Sequence, residues 1–304
     1  MSPAGNIRYV AGSEIDRKKW DACVASAPNG LIYGHSFYLD ALAGNWDALV
    51  LDDYRAVMPL PWRKKWGIAY IHQPFLNAQL GVFGAGMDKD TTRQFLEAIP
   101  KRFRLIEYPL NYGNLPAPEG FGIYLRNNYI LNLSIPYEAL QQGYREQTRR
   151  NIRKAEKYGC LLKKDIDAGE VLKLAGAFTD PIAPEDGRNF IKLYDELRAR
   201  GQATAYGMTS AKDELLASAV FLFSNKRAYY ILVGNHPNGR TLGASHALID
   251  AFIRDHAGRD LTLDFEGSDL RNLAFFYSSF GAREERYPAL RLNRLPWWLK
   301  LLKK

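Results

Sequence analysis

Arg240, Thr241, Leu242, Gly243, Ala244 and Ser245 follow a β-branched and aromatic run, Ala228–Val233, that ends at Gly234. A strand feeding a small-residue loop that opens a helix places backbone N–H groups at the positive end of the helix dipole. That is a ready site for an anion such as phosphate. Farther on, Leu261–Gly267 alternates, with Leu263 and Phe265 on one face and Asp264 and Glu266 on the other. Two carboxylates at a strand end beside an anion site are candidates for proton transfer, with Glu266 the better placed and Asp264 its neighbour. Gly243→Val is expected to block an anionic donor, because a branched side chain would fill the space its phosphate needs.

Those residues need a frame. From Ala244 the residues Leu248, Ala251 and Phe252, with Ile249 and Ile253, recur at helical spacing and predict a helix. Before it, Leu215–Phe223 and Arg227–Val233 read as a hairpin. Thr148–Tyr158 reads as a helix with a thin apolar stripe and basic faces, among them Arg150, Arg153 and Lys154, which could hold phosphates. The first half runs through strands at Ile7–Val10, Asp47–Leu51, Tyr54–Leu60 and Gly67–His72, a helix from Thr91, and strands at Arg104–Tyr108 and Tyr129–Leu133. Gln73, Asn77 and Gln79 follow a strand end there and are candidate substrate contacts, as is Tyr229 on the strand entering the anion loop. Each half reads hairpin, loop, helix, strand, loop, strand, and Phe121-Gly122 is echoed by Phe280-Gly281. The expected division is a first unit over 1–140 and a second over 141–304.

Composition bounds the function. A chain of 304 residues with 47% hydrophobic and 24% charged residues is globular and long enough for two cores. Cys23 and Cys160 lack any metal-type spacing and read as reduced thiols of a cytoplasmic protein without a metal. No apolar run reaches membrane-spanning length. The net charge of +8 is local. Residues 145–164 hold eight basic and two acidic side chains, and 291–304 five basic and none acidic. Local basicity points to particular anionic partners. The tail Leu295–Lys304, with two Trp, four Leu and three Lys, suits peripheral contact with an anionic membrane surface.

The order Arg240-x-x-Gly243-x-Ser245 resembles the pyrophosphate loop of GNAT-superfamily acyltransferases, departing at Ser245, where Gly or Ala is usual. With Arg150-Asn-Ile-Arg-Lys-Ala-Glu-Lys157, Leu263-Asp-Phe-Glu-Gly-Ser268 and Phe275–Ala282, the chain resembles tandem GNAT proteins related to the Fem-type peptidyltransferases. The resemblance implies an α+β fold of two GNAT-like units related by a pseudo-twofold axis, with mixed, mostly antiparallel sheets flanked by helices. It implies acyl or aminoacyl transfer from acyl-CoA or aminoacyl-tRNA to an amine on a small molecule, peptide or cell-envelope precursor, with tRNA a partner in the second case. The alternative is a non-catalytic module of the same fold that binds nucleic acid or a phosphorylated precursor. The long charged helical hairpin of many Fem-type enzymes has no counterpart in this sequence.

Overall fold

Asp16 and Asp88 each precede a helix and accept hydrogen bonds from its first-turn N–H groups, at 3.1 Å from Lys18 and Lys19 and 2.7 Å from Thr91. Such caps satisfy donors that the helix itself cannot. The structure is a computed structural model describing residues 5–178, 181–267 and 269–296. Its contacts define two units, one formed by residues up to Arg126 together with those from Arg286, the other by Asn127–Glu285.

The first unit holds β1 (Ile7–Val10), α1 (Arg17–Ser26), α2 (Ser36–Leu42), β2 (Trp46–Leu51), β3 (Ala56–Lys65), β4 (Ile68–Ile71), β5 (Phe83–Gly84), α3 (Lys89–Ala98) and β6 (Phe103–Pro109). Trp20, Tyr33, Tyr38, Phe83, Phe95 and Phe103 fill its core. Pro59 and Pro61 sit in β3 between its pairing with β5 at Ala56–Val57 and with β4 at Trp62–Lys65. A residue lacking an N–H is tolerated there because, among the described residues, no strand pairs with that edge between the two ladders.

From β7 (Ile123–Asn132) the chain enters the second unit. It holds α4 (Tyr137–Gln142), α5 (Glu146–Lys157), β8 (Leu161–Lys164), α6 (Ala168–Phe178), α7 (Pro184–Ala199), β9 (Ala203–Thr209), β10 (Leu215–Ser224) and β11 (Arg227–Asn235). It continues with α8 (Pro237–Leu242), α9 (Ala244–His256), β12 (Thr262–Asp264) and α10 (Arg271–Ser278). The last strand is β13 (Arg283–Asn293). Phe221 and Phe252 stack at 3.7 Å between β10 and α9, fixing that helix on the sheet.

Each unit repeats one arrangement. An antiparallel hairpin, β3–β4 or β10–β11, leads through a helix to a strand parallel to the hairpin's second arm, β6 or β12. An antiparallel strand closes the set, and here the sequence reading is corrected. Ile130–Asn132 of β7 pairs with β12, in the second unit, while Ala289–Asn293 of β13 pairs with β6, in the first. In place of one boundary after residue 140, the chain crosses between units at Arg126 and again at Glu285. Among the described residues no helix is long and apolar enough to cross a membrane. The tail expected at a membrane surface lies, from residue 297 on, outside the described residues.

Candidate functional site

Strand β11 pairs with β10 along its whole length but with β12 at three positions only, Arg227 with Thr262, Ala228 with Leu263 and Tyr229 with Asp264. Beyond Tyr229 the two parallel strands part, and that edge of β11 has no strand partner among the described residues. The ladder of β11 with β10 also skips Ile231, a bulge that bends the strand just past the parting. At the far end of β11 the chain turns into α8 and α9.

The expected loop at Gly239–Ser245 is corrected: Pro237–Leu242 forms the single-turn helix α8, and Gly243 alone joins it to α9. Arg240 and Thr241 are exposed on α8 and Leu242 half-buried. Gly243 takes φ +82° and donates its N–H to Gly239 O, and its own carbonyl accepts from His246 and Ala247. A Cβ there would lie 2.3 Å from Asn151 O of α5, so this glycine lets the two helices pack closely. Ala244 is buried, and the Ser245 hydroxyl is tied to the Asn235 side chain at the end of β11.

Helix α5 buries Thr148, Ile152 and Ala155 and leaves its basic residues toward solvent. Arg153 pairs with Glu146 at 3.0 Å, and Arg150 donates to Gln147 Oε1 at 3.0 Å. Lys154, one turn beyond Arg150, is half-buried. Asn151, between them, packs against Gly243 and reaches the His246 ring at 3.2 Å. Neither residue stood out in the sequence. His246 packs edge-on to Phe276 at 4.8 Å, and burial lowers its pKa from 6.5 to about 4.

Asp264, the second proton-transfer candidate, lies in a buried ion pair. It is 1% exposed, pairs with Arg227 at 2.8 Å and accepts the Glu266 N–H at 2.8 Å. Glu285 completes the cluster, 3.0 Å from Arg227. Burial alone would lower the arginine pKa, but the two carboxylates outweigh it and hold the guanidinium charged. Glu266 does not continue the strand alternation, since β12 stops at Asp264 and Glu266 has φ +63°. It lies half-buried two residues past the last ladder pair, where β11 and β12 part. Tyr229 is corrected as well: it is fully buried, with Tyr230 only 4% exposed.

In the first unit Gln73 is exposed and donates to Asn77 O at 2.5 Å. Asn77 and Gln79 are buried, at 3% and 1% exposure. Gln79 Oε1 accepts the Tyr112 N–H at 2.9 Å, whereas Gln79 Nε2, both amide atoms of Asn77 and both ring nitrogens of His72 find no hydrogen-bond partner among the described residues. No cluster of three or more His, Cys, Asp or Glu suited to a metal occurs among those residues.

The buried imidazoles carry a pH prediction. His72 is likewise lowered to about 4, chiefly by burial and then by Arg63. Unfolded histidine takes up a proton near pH 6.5 and these do not, so stability is full above that pH and falls toward pH 4. At roughly 1.4 kcal/mol per pH unit, His246 alone contributes about 3 kcal/mol across the window. Denaturant titrations of the native chain and of His246→Leu over that range should show a flatter profile for the variant. Superimposable profiles would rule out His246 as a source of the slope.

A hairpin, a helix and a strand parallel to the hairpin's second arm, present twice and each time closed by an antiparallel strand, make an α+β fold of tandem GNAT, Fem-like type. Residues 142–272, within the second unit, match the family model of the acetyltransferase (GNAT) domain. Among solved structures, FemX superposes with a TM-score of 0.64 at 15% identity, covering 95% of this chain and 98% of that one. The L-PGS from Bacillus licheniformis gives 0.56 at 11%, over 94% and 95%. A tandem GNAT protein from the clavulanic acid biosynthesis pathway gives 0.52 at 12%, over 96% and 99%. No curated protein matches in sequence.

Proposed function

We propose that the chain is an N-acyltransferase whose second unit takes an acyl or aminoacyl group from a phosphate-bearing donor, acyl-CoA or aminoacyl-tRNA, and passes it to an amine. The observation that carries this reading is the three-residue ladder of β11 and β12, which opens with Glu266 at the parting and the start of α9 at the far end of β11. A donor lying along the free edge of β11 can hydrogen-bond to its backbone as an added strand would. Its phosphates meet the first turn of α9, with Arg150 and Lys154 of the adjoining helix and Arg240 and Thr241 of α8 supplying charge and hydrogen bonds. The amine nitrogen attacks the acyl carbonyl, the bond to the thiol or ribose oxygen breaks, and the nitrogen's proton passes to the Glu266 carboxylate, directly or through one water. Backbone N–H groups on the free edge of β11 stabilise the oxyanion in between. Asp264 acts through position, holding the Glu266 N–H. Gln73, Asn77 and Gln79 are assigned as polar contacts for a substrate in the first unit, where Asn77 and Gln79 bring buried amide groups open to hydrogen bonding.

Incubation with labelled acyl-CoA or aminoacyl-tRNA and an amine tests the reading. Glu266→Gln keeps the shape and removes the base, so turnover should drop about a hundredfold while donor binding, read by calorimetry, survives. Full turnover in the variant would send the proton elsewhere. Failure of the native chain to bind either donor would end the transferase reading and leave an anion-binding module.

A further inference from the structure

Helices α6 and α7 pack on the sheet side by side but leave a groove of about 650 Å³ between their outer faces. That is within the roughly 300–1,000 Å³ of pockets that take small ligands. Its walls are apolar, with Leu172 on α6, Ile191 on α7 and Ile182 on the connecting segment. Lys173, Arg188 and Lys192 stand around it, all exposed, and among the described residues no acidic one lines it.

Two features of the helices count against an ordinary solvated surface. Arg188 and Lys192 are one turn apart on α7, a like-charge spacing that destabilises a helix by about 0.2–0.5 kcal/mol. Of Asp195 and Glu196, the acids one turn beyond Lys192, Glu196 pairs with Arg200 at 4.0 Å. An anion between the two cations would turn that repulsion into attraction. The second feature is Gly176, inside α6. A mid-helix glycine costs about 0.5–1 kcal/mol relative to alanine. Among the described residues no contact requires it, because a Cβ built there meets no atom within 4 Å. Gly187 across the groove differs, since its Cβ would press to 2.9 Å on Leu172. What Gly176 preserves is the open space itself.

We infer that this groove binds a single-chain anionic amphiphile as a monomer, with its alkyl chain along Leu172, Gly176 and Ile191 and its carboxylate or phosphate head between Lys173, Arg188 and Lys192. Apolar walls recognise the chain by burial, at about 0.8 kcal/mol per methylene, and the cations fix the head by charge-assisted hydrogen bonds. The inference is independent of the donor site and of the transferase reading.

Calorimetric titration with monomeric dodecyl phosphate tests it. The native chain should bind, and Gly176→Leu, which fills the groove at a position with room for the side chain, should weaken binding at least about tenfold. That variant should also melt at an equal or higher temperature, so its loss of binding cannot be attributed to misfolding. Arg188→Gln combined with Lys192→Gln should weaken the phosphate probe several-fold and leave the weaker binding of dodecanol unchanged. Equal binding of the probe by Gly176→Leu overturns the site, as does inorganic phosphate competing as well as the amphiphile. Binding only to phosphatidylglycerol vesicles, with none to the monomer, would assign the cations to a membrane surface and overturn the groove.

Discussion

Replacing Arg227 with Met should destabilise the second unit by about 3–5 kcal/mol, which is a fifth or more of the roughly 5–15 kcal/mol that holds a typical protein folded. The guanidinium is 8% exposed and lies between Asp264 at 2.8 Å and Glu285 at 3.0 Å. Met fills much of the volume, so the loss comes from leaving Asp264 charged and 1% exposed with its counter-ion gone. Its one remaining described donor is the Glu266 N–H. The same reasoning makes a rescue prediction. Adding Asp264→Leu and Glu285→Gln to Arg227→Met removes the stranded charges and should recover a good part of the loss, as replacing buried ion pairs with apolar groups commonly does. Chemical denaturation of the single and triple variants decides it. A loss under about 1 kcal/mol in the single variant would mean that water or rearrangement satisfies Asp264. Because Asp264 also fixes the Glu266 backbone, Arg227→Met should lower turnover at temperatures where the chain remains folded.

Gly243→Val is expected to have an effect at least as large, and for a different reason from the one the sequence suggests. At φ +82° a β-branched residue is strained by about 1–3 kcal/mol. Its Cβ would also lie 2.3 Å from Asn151 O and 2.9 Å from Asn151 C, both backbone atoms of α5 that cannot turn aside. Moving one helix off the other adds about 1–3 kcal/mol of overpacking. The variant should therefore lose stability by several kcal/mol together with any donor binding, whereas a phosphate-space role alone predicts lost binding at native stability. Gly243→Ala separates the contributions, since it keeps the clash and much of the backbone strain while avoiding β-branching. Melting and donor-binding measurements on both variants give the answer. Native-like melting of Gly243→Val would show that α5 yields easily, and the anion-site explanation would return.

Local pattern determined a good deal of this protein. The apolar, β-branched and aromatic runs in 215–223 and 227–233 placed the hairpin β10–β11, whose strands are buried almost throughout, and the helical recurrence from Ala244 placed α9, because burial on one face of a helix leaves a period of 3.6 in the residues themselves. The basic helix was legible in the same way, though Tyr158, where it was expected to end, is 57% exposed; the helix ends at Lys157 and Gly159 turns the chain away. What the pattern could not carry was everything set by distant partners. Asp264 and Glu266 alternate in sequence, yet one is sealed under Arg227 and the other is turned by a left-handed backbone, because β12 ends where its partner strands stop pairing. Gly243 looks the same in a sequence whether it clears space for phosphate or for Asn151 of a helix some ninety residues earlier. The closing strands have nearly interchangeable compositions, and only pairing in three dimensions sends residues 130–132 to β12 and residues 289–293 back to β6. Periodicity records which face of an element is buried. Which element buries it is decided by long-range packing, for which a single sequence keeps no local mark.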